Sequence, residues 1–381
     1  MKLVYFKIVV FSILVSACST TAGTTRPSGI PIDTYNELQV STEVNLDFSD
    51  LRRTSCRASE GDQSFQSLAV EFKPTQPFDL SKLPDGVSFV GGWQLKPGNR
   101  GPHSLSGLHA LSDDTLLAIS EEGAFLRIGL RDNQPTGSVE IADMLDESGL
   151  PMRGSYLADA EGVTSKDGLV FVAFEQFHRV DAYALNECGS LARPARVAAL
   201  PKKLRGVAIE PNSGPQAIGW HSNLVIFYEK MSGHGALGMT LGSEERTDYF
   251  ALELRTLERK LSSPVVGMTN EISSSDERDG WQYRLRRGLN EFDGFTFAIE
   301  VSHSFTSPMV SGDANFLVFE LQSPTQAIDL EGIAVQKLQN GKHRIWMVSN
   351  NNGLDRNPTL LFAFDIEPTY RTDGPGGRTV V

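Results

Sequence analysis

Acidic and amide side chains recur in this chain at a fixed place beside short apolar runs. Asp159 and Glu161 stand in Asp159-Ala160-Glu161-Gly162-Val163, and Asp329 and Glu331 in Asp329-Leu330-Glu331-Gly332-Ile333. Ser106 and Arg205 hold the corresponding place in Leu105-Ser106-Gly107-Leu108 and Leu204-Arg205-Gly206-Val207. A second set closes the next run of each copy: Glu121 with Glu122, Glu175, Glu229, Glu300, and Asn350 to Asn352. Carboxylates and amides are oxygen donors, and Ca²⁺ takes about six to eight oxygens at roughly 2.3–2.6 Å. Gathered at one rim, Asp159, Glu161, Glu229, Glu331, Asn350 and Asn351 would form a hard-cation site. Such a site requires Asp159, Glu161, Glu175 and Glu331 to lie within about 12 Å of one another. The competing reading of any single acid is a strand-end carboxylate that faces water.

Glu175 is followed by Gln176-Phe177-His178-Arg179. Glu175 or His178 could move a proton as general acid or base. The planar fork of Arg179 could hold a phosphate or carboxylate and steady developing charge. These three are the candidate catalytic residues; the alternative is that His178 and Arg179 only balance nearby acids. Arg284, Arg286 and Arg287 form the densest basic cluster and read as a solvated loop run.

The elements that must position these groups are strands. After each copy of the apolar-x-Gly-apolar pattern come further runs rich in β-branched and aromatic residues, such as Thr115–Ser120, Leu169–Glu175, Leu224–Glu229, Phe295–Glu300 and Arg344–Ser349. Third runs follow at Phe125–Leu130, Arg179–Leu185, Tyr249–Leu254, Phe316–Leu321 and Leu360–Ile366. Turns such as Lys166-Asp167-Gly168 separate them, as in antiparallel sheets. Five such units, with Ser67–Leu95 as a sixth, predict an all-β fold: a β-propeller of six blades, about 50 residues each. In a propeller the start of strand one and the end of strand two share a rim, which places the acids at one mouth of the channel. Residues 231–247 and 270–290 read as loop insertions.

The N-terminus carries Lys2 and Lys7, an apolar run from Ile8 to Val15, and Leu14-Val15-Ser16-Ala17-Cys18. The run is short for a membrane-spanning helix, which needs about 20 residues, and reads as a secretory signal. Small residues before a cysteine resemble the bacterial lipobox, in which the cysteine is lipidated. The expected organisation is a signal peptide over 1–17, lipidated Cys18 and a flexible linker over 18–40, a folded domain over 41–370 and a flexible tail over 371–381. Ser19 after the cysteine resembles outer-membrane sorting in two-membrane bacteria, with the body facing the periplasm. Cys56 and Cys188 remain, either bridged in an oxidising compartment or as two thiols.

Hydrophobic content of 40% and charged content of 22% are those of a globular domain. Loss of Lys2 and Lys7 with the signal would take the net charge from −12 to −14. That surface repels nucleic acid, and it repels polyphosphorylated substrates unless a cation bridges the two. No Gly-x-Ser-x-Gly elbow, His-Glu-x-x-His motif, Walker loop or Cys-x-x-Cys is present, which disfavours α/β-hydrolase, zinc and nucleotide chemistry.

The segments Ser106-Gly107-Leu108, Ala118-Ile119-Ser120-Glu121-Glu122-Gly123, Asp159 to Val163, Phe174 to Arg179, Leu330 to Ala334 and Val348 to Asn352 resemble the bacterial phytase-like family, described as having the esterase-like activity of phytase. The resemblance spans roughly residues 85–366 in order. It implies a β-propeller and a phosphoester- or ester-hydrolysing activity. This sequence departs from the family where Ser120-Glu121-Glu122-Gly123 and Asn350-Asn351 replace segments that usually hold Asp. It departs again where Arg205 stands for a frequent Glu.

Two functions are therefore weighed. One is a Ca²⁺-assisted hydrolase of anionic phosphate or carboxylate esters, with a calcium-dependent lactonase as a variant. The other is a non-catalytic propeller presenting its mouth to an envelope ligand or protein partner. Either is read as a monomer held to the membrane by its lipid.

Overall fold

Short β-branched runs bounded by Gly, Asp and Asn can bury their apolar faces only by stacking sheet on sheet. The computed structural model describes residues 44–57, 61–97, 103–132, 134–204, 207–220, 223–232, 235–241, 247–253, 271–290, 294–303, 316–322, 328–354 and 357–368. Helix α1 (Phe48–Ser55) is capped by Asp47, whose carboxylate accepts from the Ser49 and Asp50 N–H groups. Strands β1 (Gln66–Pro74) and β2 (Val87–Pro97) follow.

Five four-stranded antiparallel units come next. The first is β3 (Leu105–Ser112), β4 (Thr115–Ser120), β5 (Ala124–Arg131) and β6 (Gln134–Asp143). The second is β7 (Ala160–Lys166), β8 (Leu169–Phe174), β9 (Arg179–Tyr183) and, after helix α2 (Leu185–Cys188), β10 (Ala195–Ala199). A two-residue hairpin, β11 (Lys203–Leu204) and β12 (Val207–Ala208), leads into the third: β13 (Pro215–Trp220), β14 (Leu224–Ser232), β15 (Gly235–Leu241) and β16 (Thr247–Glu253). The fourth is β17 (Glu271–Arg278), β18 (Trp281–Asn290), β19 (Gly294–His303) and β20 (Phe316–Gln322). The fifth is β21 (Asp329–Lys337), β22 (His343–Asn350) and β23 (Thr359–Ile366), completed by β2 from the N-terminal side.

The first strands pack in ring order, β3 on β7, β7 on β13, β13 on β17, β17 on β21, and β21 back on β3. The fold is thus all-β and propeller-like. Strand β1 pairs with both β2 and β6 and joins the last unit to the first at the outer edge. Apolar side chains fill the spaces between units, for example Phe171, Phe174, Ile218 and Ile226 in one and Tyr283, Phe297, Ile333 and Phe364 in another.

Among the described residues the units number five, not six. The segment Ser67–Leu95 makes no blade, because β2 is consumed in closing the fifth unit and β1 in bridging to the first. The insertions expected over 231–247 and 270–290 are corrected as well: β15, β17 and β18 are regular strands. Phe295–Glu300 is therefore in a third strand, not a second, and Glu300 pairs with Arg284 instead of joining the rim. Cys18, the segments 1–17 and 18–40, Arg205 and the tail 371–381 lie outside the described residues.

Cys56 and Cys188 form a disulfide with Cα atoms 5.5 Å apart, tying the C-cap of α1 to the end of α2. Among the described residues no helix is long and apolar enough to cross a membrane.

Candidate metal centre at the channel mouth

Each inner strand carries one extra residue at the same place. Pairing with the second strand slips between Leu105 and Gly107, Ala160 and Gly162, Pro215 and Ala217, Ile272 and Ser274, and Leu330 and Gly332. A bulge bends the strand and re-aims a side chain. The bulged residues are Ser106, Glu161, Gln216, Ser273 and Glu331, all buried.

The repeated glycine beside the bulge has a steric cause. A Cβ on Gly107 would lie 2.9 Å from the Glu161 carbonyl oxygen, and one on Gly162 3.0 Å from that of Gln216. Each inner strand thus presses against the bulge of the next.

The residue that follows each bulge-paired position on the second strand is Glu121, Glu175, Glu229, Arg287 or Asn350. Four of these were legible in the sequence as one register; Arg287 was not. Glu229 lies in β14 at that register, and its side chain is outside the described set.

These registers converge on Glu161. Oxygens of Glu121, Glu161 and Glu331 lie within 4.8 Å of one another, as do those of Asp159, Glu161 and Glu175. The proximity required for a shared site is therefore present. Asn350 donates through Nδ2 to Glu121 Oε1 at 2.5 Å and Glu331 Oε2 at 2.7 Å. Arg287 donates through Nη1 to Glu331 at 2.5 Å and to Asp329 at 3.1 and 3.2 Å. Asn351 sits one step out: its Oδ1 accepts from the Ser104 N–H at 2.7 Å and fixes the loop beneath Glu121.

The Glu175 Oε1 accepts from the Gly214 N–H at 3.0 Å and from Gln216 at 3.3 Å. His178 and Arg179, expected to face substrate, have other partners. His178 Nε2 lies 3.3 Å from the Pro211 carbonyl, and burial holds its pKa below the ordinary value. Arg179 is buried, donates to Asp181 at 2.8 Å and to the Leu157 carbonyl at 2.5 Å, and stacks on Phe174. It braces the second unit.

Crowded acids in a dry site resist ionisation. Burial, then Glu121 and the other carboxylates, pushes Glu161 well above the usual range. Burial and Asp329 do the same to Glu331 against the pull of Arg287 and Asn350. Burial also raises Asp159. Burial and Asp159 raise Glu121 to about 7. A cation would relieve this repulsion, and the all-oxygen donor set suits a hard one.

Fold and site together define a propeller-like domain with a carboxylate-lined channel mouth. Residues 102–232 match the model of the phytase-like family, described as esterase-like activity of phytase. The matched segment holds Glu121, Asp159, Glu161 and Glu175; Arg287, Glu331 and Asn350 lie beyond it. No curated protein matches the sequence. Solved structures that resemble the chain include the PQQ-bound aldose sugar dehydrogenase of Streptomyces coelicolor, with 12% identity, 74% of this chain and 99% of that chain covered, and a TM-score of 0.40. A putative gluconolactonase has 11% identity, coverage of 81% and 92%, and a TM-score of 0.38. The WD40 repeats of RRP9 have 7% identity, coverage of 77% and 100%, and a TM-score of 0.37.

Proposed function

We propose that the domain is a Ca²⁺-assisted hydrolase of anionic phosphate or carboxylate esters. The observation that carries this reading is the convergence of two carboxylate groups on Glu161, with oxygens within 4.8 Å in each. Asp159, Glu161, Glu175, Glu121 and Glu331 would hold the ion. Bound there, calcium supplies positive charge that draws in and polarises the ester. The chain's residues do the rest. Asn350 fixes Glu121 and Glu331. Without the ion, Glu121, half-buried at the rim, holds its proton up to about pH 7, and binding of the ion would displace that proton. The match of residues 102–232 to a family with esterase-like activity supports the same class.

The lipobox-like Leu14-Val15-Ser16-Ala17-Cys18 supports a lipid anchor on Cys18, with the domain on the periplasmic side of an outer membrane. A Cys18→Ser variant should then leave the membrane fraction.

A second reading, a binding module without turnover, is favoured by one observation: His178 and Arg179 are both engaged with protein groups. One assay separates the two. The full chain is tested on aryl phosphate, aryl acetate, lactone and phytate, with Ca²⁺ and with chelator. Ca²⁺-dependent turnover lost in Glu161→Gln supports the hydrolase. Ca²⁺ binding without turnover on any of the four supports the module.

A further inference from the structure

The opposite end of the channel holds a different polar group. Three or four residues beyond the bulges, about 10–13 Å along each inner strand, His109 of β3, Ser165 of β7 and Asp276 of β17 meet across the channel. His109 Nε2 is 2.8 Å from Ser165 Oγ. His109 Nδ1 is 3.4 Å from Asp276 Oδ1. Asp276 is itself fixed, its Oδ1 accepting from the Glu277 N–H at 2.9 Å and its Oδ2 from the Val335 N–H at 2.7 Å. His109 and Asp276 are buried, whereas Ser165 is half-buried. All three line one cavity of about 280 Å³, together with Trp220, Arg278 and Lys337.

A hydroxyl bonded to one imidazole nitrogen, a carboxylate 3.4 Å from the other, which makes no hydrogen bond of its own, and backbone donors locking that carboxylate have the layout of a nucleophile relay, recognised by geometry and not by order in the chain. The cavity at the hydroxyl and the acid beside the far imidazole nitrogen distinguish the trio from a packing contact. We propose that Ser165, His109 and Asp276 form a second, metal-independent acyl-transfer site for small carboxylic esters. Ser165 Oγ bonds to the ester carbonyl carbon as its proton passes to His109 Nε2. The tetrahedral adduct collapses, the ester C–O bond breaks, and the leaving alcohol takes that proton. Water then attacks the acyl-serine, giving its proton to His109 and thence to Ser165 Oγ as the carboxylic acid departs. Asp276, 3.4 Å from Nδ1, steadies the positive charge on the imidazole while it carries the proton. The cavity admits a short acyl chain.

This site is independent of the acidic mouth, so chelator divides the two. The full chain is incubated with a fluorophosphonate probe in chelator and mapped by peptide mass spectrometry, and p-nitrophenyl acetate turnover is measured in the same buffer. The expected result is an adduct on Ser165 and turnover that persists in chelator. Ser165→Ala should lower that turnover by about 10³-fold or more, and His109→Ala by about 10²–10⁴-fold. Labelling of the unaltered protein needs no variant to fold. Absence of an adduct on Ser165 in the folded protein overturns the relay. Turnover in chelator that survives Ser165→Ala overturns it too, as does turnover seen only with Ca²⁺, which belongs to the acidic mouth.

Discussion

The Arg287 guanidinium lies against the Glu331 carboxylate at the second-strand position where the first two units carry Glu121 and Glu175. One blade of the ring thus presents a fixed positive charge to a site otherwise lined by acids and an amide. Arg287 also spans Asp329, so two carboxylates share it.

Removing that charge should have a cation-dependent cost. In Arg287→Met, Asp329 and Glu331 lose their mostly buried partner. Breaking one member of such a pair costs on the order of 3 kcal/mol. The melting temperature without divalent ions should fall, and added Ca²⁺ should recover more of it than in the unaltered protein. Thermal melts with and without Ca²⁺ measure both. An equal drop in both conditions would place Arg287 outside the cation site.

The acids predict a pH dependence of stability. The folded-state values of Glu121, Glu161 and Glu331 lie above the ordinary 4.5. The native state therefore holds protons that the unfolded chain has already released. Their contribution is fully present below about pH 4.5 and is lost as pH rises through the folded values, which for Glu121 means about 7. Buried His178 and His343, with lowered values, act in the opposite sense as pH falls through their range. Comparison with Glu161→Gln cancels the histidines. Without divalent ions, wild type should lose stability relative to Glu161→Gln between pH 5 and 7.5. Denaturant melts across that range give the difference, and a flat difference refutes the coupling.

The position of the acids was legible because strand period and turn chemistry forced it. Ala160-Glu161-Gly162 and Leu330-Glu331-Gly332 repeat the same bulge, so the same register could be read in each. In the fourth unit only the outer strands were legible, and the inner hairpin was missed because it is polar. Ser273, Ser274, Ser275, Gln282, Arg284 and Arg286 replace the apolar run that marks a strand elsewhere. A signal was present: Asp279-Gly280 takes positive φ at both residues, 55° and 78°, as a two-residue hairpin turn requires. Reading it would have moved Arg287 from a solvated loop to the rim. The Ser165, His109 and Asp276 cluster had no such signal, since three strands far apart in sequence bring it together.

The glycine beside the bulge is a packing requirement that can be tested separately from the cation. In Gly162→Ala the new methyl would stand 2.9 Å from Ile218 Cγ2 as well as 3.0 Å from the Gln216 carbonyl. The carbonyl belongs to a paired strand and cannot swing aside, so units two and three must separate slightly. Overpacking of this kind costs about 1–3 kcal/mol. Ca²⁺ affinity should fall too, because Glu161 is the next residue. Gly341→Ala is a control in open space, although its positive φ carries its own strain. Calorimetry of both variants decides whether the loss follows the contact.

The Cys56–Cys188 bridge closes a loop over a sequence separation of 132 and fastens α1 onto the second unit. Constraining the unfolded chain over so long a loop contributes about 2–5 kcal/mol in the chain-entropy account. Helix α1 is also held through Ser55, whose Oγ donates to the Arg193 carbonyl at 2.8 Å and accepts from the Ala184 N–H at 2.9 Å. Because α1 packs on β9 and β10, away from the channel mouth, reduction should lower stability without abolishing Ca²⁺ binding. Denaturant melts with and without reductant should show a lower midpoint, and Ca²⁺ titration below the transition should give an affinity within about threefold of the oxidised protein. A collapse of Ca²⁺ affinity on reduction would mean that the second unit, which carries Asp159, Glu161 and Glu175, needs the bridge to hold its register.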